Sequence, residues 1–173
     1  MLIQTEPTPN PNALKFKSTS KLVGDGSVWY DIDLAVKSNN FIRKLFRVAG
    51  VRYVLLQNDE VTVTKFPQWN WTEITNKIRN VLETDHFFIE NGDKDQYCTD
   101  EICCAVRKIV QEEIRPAVQL DGGDIKFLKY ENGVVEISMH GSCWGCPNNE
   151  ATLGAISNKL ASRIPEVKQV RIV

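Results

Sequence analysis

A polar stretch at residues 90–97 constrains the fold of this 173-residue chain more than any other feature. Residues 90–96, ENGDKDQ, show no hydrophobic periodicity and are typical of a linker. The stretch predicts two domains, at residues 1–89 and 98–173. Each would be small, so each must bury its apolar residues in compact layers.

The first domain has the pattern of an α+β sandwich of order ββαββα, with its helices on one side of an antiparallel sheet. Alternating or continuous apolar runs predict the strands, and apolar residues at helical spacing after a capping residue predict the helices. The expected elements are strands at 13–17 and 28–32, a helix capped by Ser38, a hairpin of 51–56 with 61–65, and a helix starting at 70–72.

The second domain has the pattern αββαβ. Asn132-Gly133 lies between two alternating runs and is a strong signal for a tight hairpin. The other expected elements are a helix capped by Thr99 or Asp100 and ended by Pro116, strands at 125–130 and 134–139, a helix from Asn148 or Asn149, and a strand at 167–173.

The segment Gly141–Asn149, GSCWGCPNN, joins the end of a predicted strand to the start of a predicted helix. It carries Cys143 and Cys146 at a spacing that lets two sulfurs reach one metal or one cluster. Gly145 allows the backbone to curl. The positive end of the helix dipole favours an anion there, so we expect it to stabilise the thiolate form.

Four interpretations of this CxxC motif remain open from its residues. A purely structural pair is disfavoured, because a glycine-rich loop is a poor place for core residues. A dithiol–disulfide oxidoreductase is weakened, because such motifs follow a βαβ unit and here a hairpin strand precedes the motif. A zinc site needs two more ligands, for which His140 is a weak candidate. In the fourth interpretation, two copies of the chain each donate two thiolates to one shared centre.

Three further cysteines do not complete a site within one chain. Cys103 and Cys104 are adjacent on a predicted helix, where their side chains diverge; Cys103 borders the apolar face and Cys104 the polar face. Cys98 follows the linker, and nothing in the sequence places it near the CxxC loop. With no export signal, reduced thiols are expected rather than disulfides.

Composition excludes several classes of protein. Hydrophobic residues make up 42% and charged residues 25% of the chain, as in ordinary globular proteins. The net charge of −1 lacks the basic excess of a nucleic-acid binder, and no apolar run is long enough to span a bilayer. The N-terminal residues resemble no secretory or transit signal, so we expect a bacterial cytoplasmic protein or an already processed form.

Several motifs resemble those of the NifU-like (Nfu) iron–sulfur cluster scaffold proteins, and together they cover nearly the whole chain. The second domain resembles the NifU C-terminal domain through Ile114-Arg115-Pro116, Asp121–Asp124, Gly141–Pro147 and Thr152-Leu153. The first resembles the Nfu N-terminal domain through Glu6–Phe16, Gly50-Val51 and Val61–Lys65.

The resemblance implies a carrier, not an enzyme, that binds a [4Fe–4S] cluster through the CxxC motifs of two subunits. It assigns the ligand role to Cys143 and Cys146, with zinc as a possible substitute metal. It also implies a homodimer in the cluster-bound state, apo iron–sulfur client proteins and an upstream assembly machinery as partners, and the mitochondrial matrix if the chain is a processed eukaryotic form. Asp121–Asp124 is interpreted as a turn in which Gly122 and Gly123 take unusual backbone angles.

The first domain contains no cysteine, so its expected role is to recognise clients or to restrain the second domain. Trp69 and Trp71 are candidates for client contact, although packing at the start of a helix suits them better. His86, beside two phenylalanines, is assigned to packing as well.

Overall fold

The computed structural model describes residues 3–85, 87–90, 98 and 100–173. The chain divides into two compact units, Met1–Lys94 and Asp95–Val173. The α+β class is confirmed in both. His86 and residues 91–97 lie outside the described residues. The exact limits of the linker at 90–97 therefore stay a prediction.

The first unit is built on a five-stranded antiparallel sheet in the order β1-β2-β5-β4-β3. The hairpin at Asn58-Asp59 pairs β4 with β5, as the sequence predicts, and Asn58 takes a positive φ of 39° there. The strands are β1 Ile3–Pro7, β2 Ala13–Ser18, β3 Ser27–Tyr30, β4 Val51–Gln57 and β5 Glu60–Lys65.

Three helices accompany this sheet: α1 Ile32–Val36, α2 Asn40–Arg47 and α3 Trp71–Thr84. The apolar faces of α2 and α3 bury Ile42, Leu45, Ile74 and Ile78 in one core with the sheet. The cap of α2 is Asn39, whose side chain accepts from the Ile42 N–H at 3.1 Å, and not the predicted Ser38.

The order of this unit is βββααββα, with two elements that the sequence pattern does not predict. β1 is an edge strand that ends at Pro7, a position where the missing N–H of proline costs no ladder bond. α1 replaces the end of the strand expected at 28–32, because the side chain of Asp31 caps it by accepting from the Leu34 N–H at 2.8 Å.

The second unit contains a long interrupted helix, a hairpin, a further helix and a final strand. Asp100 caps the first helix by accepting from the Cys103 N–H at 2.7 Å. The elements are α4 Glu101–Ile109, a π turn Val110–Ile114, α5 Arg115–Leu120, β6 Gly123–Glu131, β7 Val134–Gly141, α6 Asn149–Arg163 and β8 Gln169–Ile172.

Pro116 does not end the helix, contrary to the prediction. The π turn precedes it, and the Arg115 N–H donates to the carbonyl of Val110, five residues back. The wider turn accommodates the residue that lacks an N–H, and the chain resumes as α5 with Pro116 in its first turn, where a missing donor costs little.

The three-stranded sheet has the order β6-β7-β8, with β6–β7 antiparallel and β7–β8 parallel. Asn132 and Gly133 take φ angles of 52° and 83°, which confirms the predicted tight hairpin. One face of the sheet packs against α4, α5 and α6 around residues that include Val106, Val118, Phe127, Ile137 and Leu160. Among the described residues, no helix combines the length and the apolar character needed to cross a bilayer.

Candidate metal centre

The CxxC loop runs from the end of β7 to the start of α6 as a series of tight turns. The Trp144 N–H donates to the Gly141 carbonyl at 3.1 Å, and the Cys146 N–H donates to the Cys143 carbonyl at 3.4 Å. Gly145 takes a φ of 68°, so the predicted curl of the backbone is confirmed. Cys143 and Cys146 are both half-buried, and Trp144 between them is 39% exposed.

The sulfur of Cys143 lies against the backbone of Gly123. Gly123 begins β6 and pairs with Gly141 at the end of β7. A Cβ atom on Gly123 would lie only 2.3 Å from the Cys143 Sγ and 3.0 Å from Val118 Cγ1. Of the two glycines in Asp121–Asp124, only Gly122 has a positive φ, at 73°. The predicted backbone role is therefore wrong for Gly123, which is needed because it leaves room for the sulfur.

Ser142 fixes the loop to the turn that precedes β6. Its side chain is buried, its Oγ donates to the Asp121 carbonyl at 2.6 Å, and its N–H donates to the Gly122 carbonyl at 3.1 Å. The sequence reasoning missed this residue. The available signal was a serine directly before the first cysteine, at a position where it cannot cap a helix.

An ion pair joins Arg115, in the Ile114-Arg115-Pro116 motif, to Asp124, the last residue of the Asp121–Asp124 motif. Arg115 donates from Nε to Asp124 Oδ1 at 2.7 Å and from Nη2 to Oδ2 at 3.0 Å. Gln119 donates to the same carboxylate at 3.3 Å. The Asp124 side chain is 0% exposed, so it positions β6 against α5 and has no role as a general acid or base.

The pKa of the Cys143 thiol is raised to about 12, chiefly by burial and then by the charges of Cys146, Asp121 and Asp124, against a hydrogen bond with Ser142 that lowers it. The expected stabilisation of the thiolate by the helix start is thus wrong for Cys143. A cysteine binds a metal as the thiolate, so binding of a metal cation has to displace the thiol proton of Cys143.

Neither asparagine at the start of α6 caps the helix as predicted. Asn148 makes no side-chain capping bond, and the Oδ1 of Asn149 is buried without a hydrogen-bond partner.

No additional ligands join the pair within the described part of the chain. No group of three or more histidine, cysteine, aspartate or glutamate side chains is placed there to hold a metal ion. His140 instead approaches Ser138, with Nε2 3.1 Å from the hydroxyl oxygen. The single-chain zinc site therefore gains no support from these residues.

The other three cysteines lie together at the start of α4. Cys103 is buried in the core and Cys104 is exposed, as their helical positions predict. Burial and hydrogen bonds with the thiols of Cys104 and Cys103 raise the pKa of Cys98 to about 12. Cys98 therefore lies beside the first turn of α4 and away from any grouped metal ligands among the described residues.

The topology around the CxxC motif bears on the interpretation as a dithiol oxidoreductase. β7 is a hairpin strand, as predicted, but β7, α6 and β8 also form a parallel crossover that starts at the CxxC motif. The prediction that a hairpin strand precedes the motif is confirmed, so this objection stands, although the motif itself opens a βαβ crossover. The stronger objection is electrostatic, because redox dithiols need a lowered thiol pKa and that of Cys143 is raised.

Comparisons with known proteins match both units. The family model "Scaffold protein Nfu/NifU N terminal" covers residues 3–88, and the model "NifU-like domain" covers residues 106–171. The chain belongs to the NifU/Nfu family. As in that pair of models, the N-terminal Nfu domain here precedes the NifU-like domain that carries the CxxC loop.

Individual curated relatives of this chain carry names that agree with membership of the NifU/Nfu family. A Drosophila persimilis protein named "NFU1 iron-sulfur cluster scaffold homolog, mitochondrial" is 36% identical over 100% of this chain and 65% of its own length. The protein of the same name from Drosophila willistoni is 37% identical over 100% of this chain and 64% of its own length. The chain thus spans slightly less than two thirds of these relatives.

Among solved structures, the solution structure of a NifU-like protein from Saccharomyces cerevisiae is similar to this chain with a TM-score of 0.44. The match is 27% identical in sequence and covers 47% of this chain and 75% of that chain.

Proposed function

We propose that this protein is a non-enzymatic scaffold or carrier for iron–sulfur clusters. Cys143 and Cys146 of two copies would together hold one [4Fe–4S] cluster, which is then delivered to apo-proteins. The observation that carries the proposal is the CxxC pair itself: two thiols on one partly exposed loop, with no third ligand grouped with them among the described residues. Four thiolates are the usual ligand set of such a cluster, so a two-fold dimer supplies the missing pair.

The surroundings of the cysteines suit an iron–sulfur cluster that is loaded onto the protein and later transferred to another. The Gly123 backbone and the Ser142 clamp fix the position of the Cys143 sulfur. Trp144 and Gly145 leave the outer side of the loop exposed to solvent, where the thiols of a partner could reach the cluster.

The raised pKa of Cys143 has a direct consequence for transfer. A proton competes with iron for this sulfur, because the free thiol is the stable form at neutral pH. Loading therefore releases a proton, and re-protonation of Cys143 favours the release of the cluster to a client with stronger ligands.

The proposed partners are apo iron–sulfur clients and the machinery that loads the cluster. The curated relatives are named as mitochondrial, which favours a mitochondrial location, proposed to be the matrix, over a bacterial cytoplasm. Zinc could occupy the same thiolates as a substitute, since it accepts four sulfur ligands.

Anaerobic reconstitution of the full chain with ferrous iron and sulfide tests this function. We expect a brown dimer containing about four irons per pair of chains. Cys143→Ser or Cys146→Ser should abolish loading, whereas Cys104→Ser, a change at an exposed cysteine on α4, should not.

Two results would overturn the proposal in favour of its alternatives. Colourless monomers that reduce a disulfide substrate would identify a dithiol oxidoreductase. A colourless dimer that retains zinc and takes up no iron would identify a zinc-bridged protein.

A further inference from the structure

The short helix α1 of the first unit exposes much of its apolar surface. Of its five residues only Ala35 is buried, while Ile32 is 57%, Leu34 45% and Val36 65% exposed. Single exposed apolar side chains are common on proteins, but a contiguous group on one helix is a feature of interaction surfaces.

A groove of about 260 Å³ lies between α1 and α2. Its apolar walls come from Ile32, Ala35 and Val36 on α1 and from Phe46 on α2. Sites for whole small molecules usually have about 300 to 1,000 Å³. This groove is smaller than that range, and its size suits one or two anchoring side chains of a partner protein.

Two arginines, Arg43 and Arg47, line the groove beside these apolar walls. They are four residues apart on α2, so they lie on one face, and both are exposed. Neither has an ion-pair partner within the described part of the chain, whereas the neighbouring Lys44 binds Asp85 at 2.8 Å. Asp31 and Asp33 are the carboxylates near α1, and Asp31 already caps the helix.

The two tryptophans considered for client contact are used in packing. The Trp71 ring nitrogen donates to the Pro11 carbonyl at 3.0 Å, and the Trp69 ring lies against Gly50, where a Cβ would approach it to 2.8 Å. Both rings pack against the core. The expected packing role of Trp69 and Trp71 is therefore confirmed.

We infer that the α1–α2 groove docks an acidic amphipathic segment of a partner protein. Apolar side chains of that segment would enter between Ile32, Val36 and Phe46, and its carboxylates would pair with Arg43 and Arg47. Unpaired guanidinium groups beside an apolar groove complement this chemistry, because Arg binds carboxylates in a bidentate geometry. The partner's role as an iron–sulfur client rests on the proposed function, but the docking itself requires no cluster.

A binding experiment on the cluster-free full chain tests this inference. The probes are three fluorescein-labelled helical peptides: one with Glu and Leu at amphipathic spacing, one with Lys replacing each Glu, and one with Ser replacing each Leu. By fluorescence anisotropy at low salt, we expect the Glu/Leu peptide to bind at least about ten-fold more tightly than either other peptide. The preference over the Lys peptide should shrink as salt is added.

Variants of the chain localise the binding. Arg43→Gln with Arg47→Gln, and separately Ile32→Ser with Val36→Ser, should each weaken binding of the Glu/Leu peptide by about ten-fold or more. The matched control is Lys21→Gln with Lys77→Gln, which removes the same charge at exposed positions outside the groove and should change nothing. The substituted side chains are exposed, so circular dichroism should show an intact fold.

Equal binding of the Lys peptide, or an arginine variant that behaves like the lysine control, would overturn the inference. So would self-association of the chain that Ile32→Ser with Val36→Ser abolishes, since a second copy would then occupy the groove. Iron loading is measured on the same preparation. Peptide binding without iron loading would overturn the proposed function alone, and iron loading without peptide binding would overturn the docking alone.

Discussion

The contact between Gly123 and Cys143 shows how a single missing side chain can define the position of a proposed ligand. The Cys143 sulfur occupies the space where any other residue at 123 would carry its Cβ, with Val118 and Ser142 closing the same space. Gly123 is therefore as important for the geometry of the centre as the residues of the CxxC loop.

We predict that Gly123→Ala displaces the Cys143 sulfur and lowers iron loading. Overpacking of a filled site also costs about 1 to 3 kcal/mol of stability. Iron content after reconstitution and urea unfolding measure the two effects.

Gly154→Ala is the matched control within the same unit. Gly154 lies within α6, and a Cβ there would meet nothing within 4 Å. This change should raise the free energy of unfolding by about 0.8 to 1 kcal/mol, because alanine favours a helix over glycine, and it should leave iron loading unaltered. Full loading of Gly123→Ala would show that the sulfur can adjust.

Between elements, the pair of Arg115 and Asp124 connects α5 to the first residues of β6. Its carboxylate is fully buried and its arginine side chain is 11% exposed. A buried pair of this kind contributes little compared with an apolar pair of similar shape, but a charge left without its partner is costly.

We therefore predict that Arg115→Leu lowers the free energy of unfolding by about 3 to 5 kcal/mol. Arg115→Leu combined with Asp124→Leu should recover most of the loss, because no buried charge remains. Urea unfolding of the second unit measures both. A loss below about 1 kcal/mol for the single change would mean that Asp124 finds other hydrogen-bond donors or water when Arg115 is removed.

Glu136 and Arg171 lie opposite each other in the parallel pair β7–β8, and their side chains are hydrogen-bonded. The hydrogen bond from Arg171, together with its charge and that of Lys129, lowers the pKa of Glu136 against a smaller effect of burial. A carboxyl with a lowered pKa stabilises the fold above its ordinary value of 4.5, and this stabilisation is lost as the pH falls through the lowered value.

Arg171→Gln should raise the pKa of Glu136 towards its ordinary value, as measured by an NMR titration of the side-chain carboxyl. The dependence of stability on acid pH should weaken correspondingly. Lys129→Gln is the control, since Lys129 lies 3.7 Å from the carboxylate and is about half exposed. A larger pKa shift of Glu136 in Lys129→Gln than in Arg171→Gln would show that Lys129, and not Arg171, chiefly lowers this pKa.

For the whole molecule, the division into two units places both proposed cluster ligands in the second one. Every cysteine of the chain lies between residues 98 and 173. Each unit also has its own buried core, one around Phe16 and Leu45 and the other around Phe127 and Leu160.

We predict that residues 98–173 expressed alone take up as much iron per chain as the full chain, and that residues 1–89 take up none. Iron analysis and sedimentation after anaerobic reconstitution provide the measurement. A fragment that is folded by circular dichroism but fails to load would show that the first unit contributes to the centre. If the fragment also delivers clusters to every client at the full rate, the first unit has no role in client recognition.

The features that the sequence determined by itself are those that depend on neighbours along the chain. The Asn132-Gly133 hairpin, the apolar faces of α2 and α3 and the CxxC spacing are all local. These local patterns predict most of the elements and place Cys143 and Cys146 together on one loop. β1 and α1 were missed, because an edge strand with prolines and a five-residue helix have only weak local patterns.

The tertiary structure alone decided what surrounds the cysteines. Gly123 lies under Cys143 because β6 and β7 pair in one register, and Asp124 meets Arg115 because α5 packs beside β6. The pKa of Cys143 rises because the fold buries its sulfur and brings the carboxylates of Asp121 and Asp124 near it. These properties depend on the distances between residues that are far apart in the chain and on how much water remains between them, and no local pattern encodes either quantity.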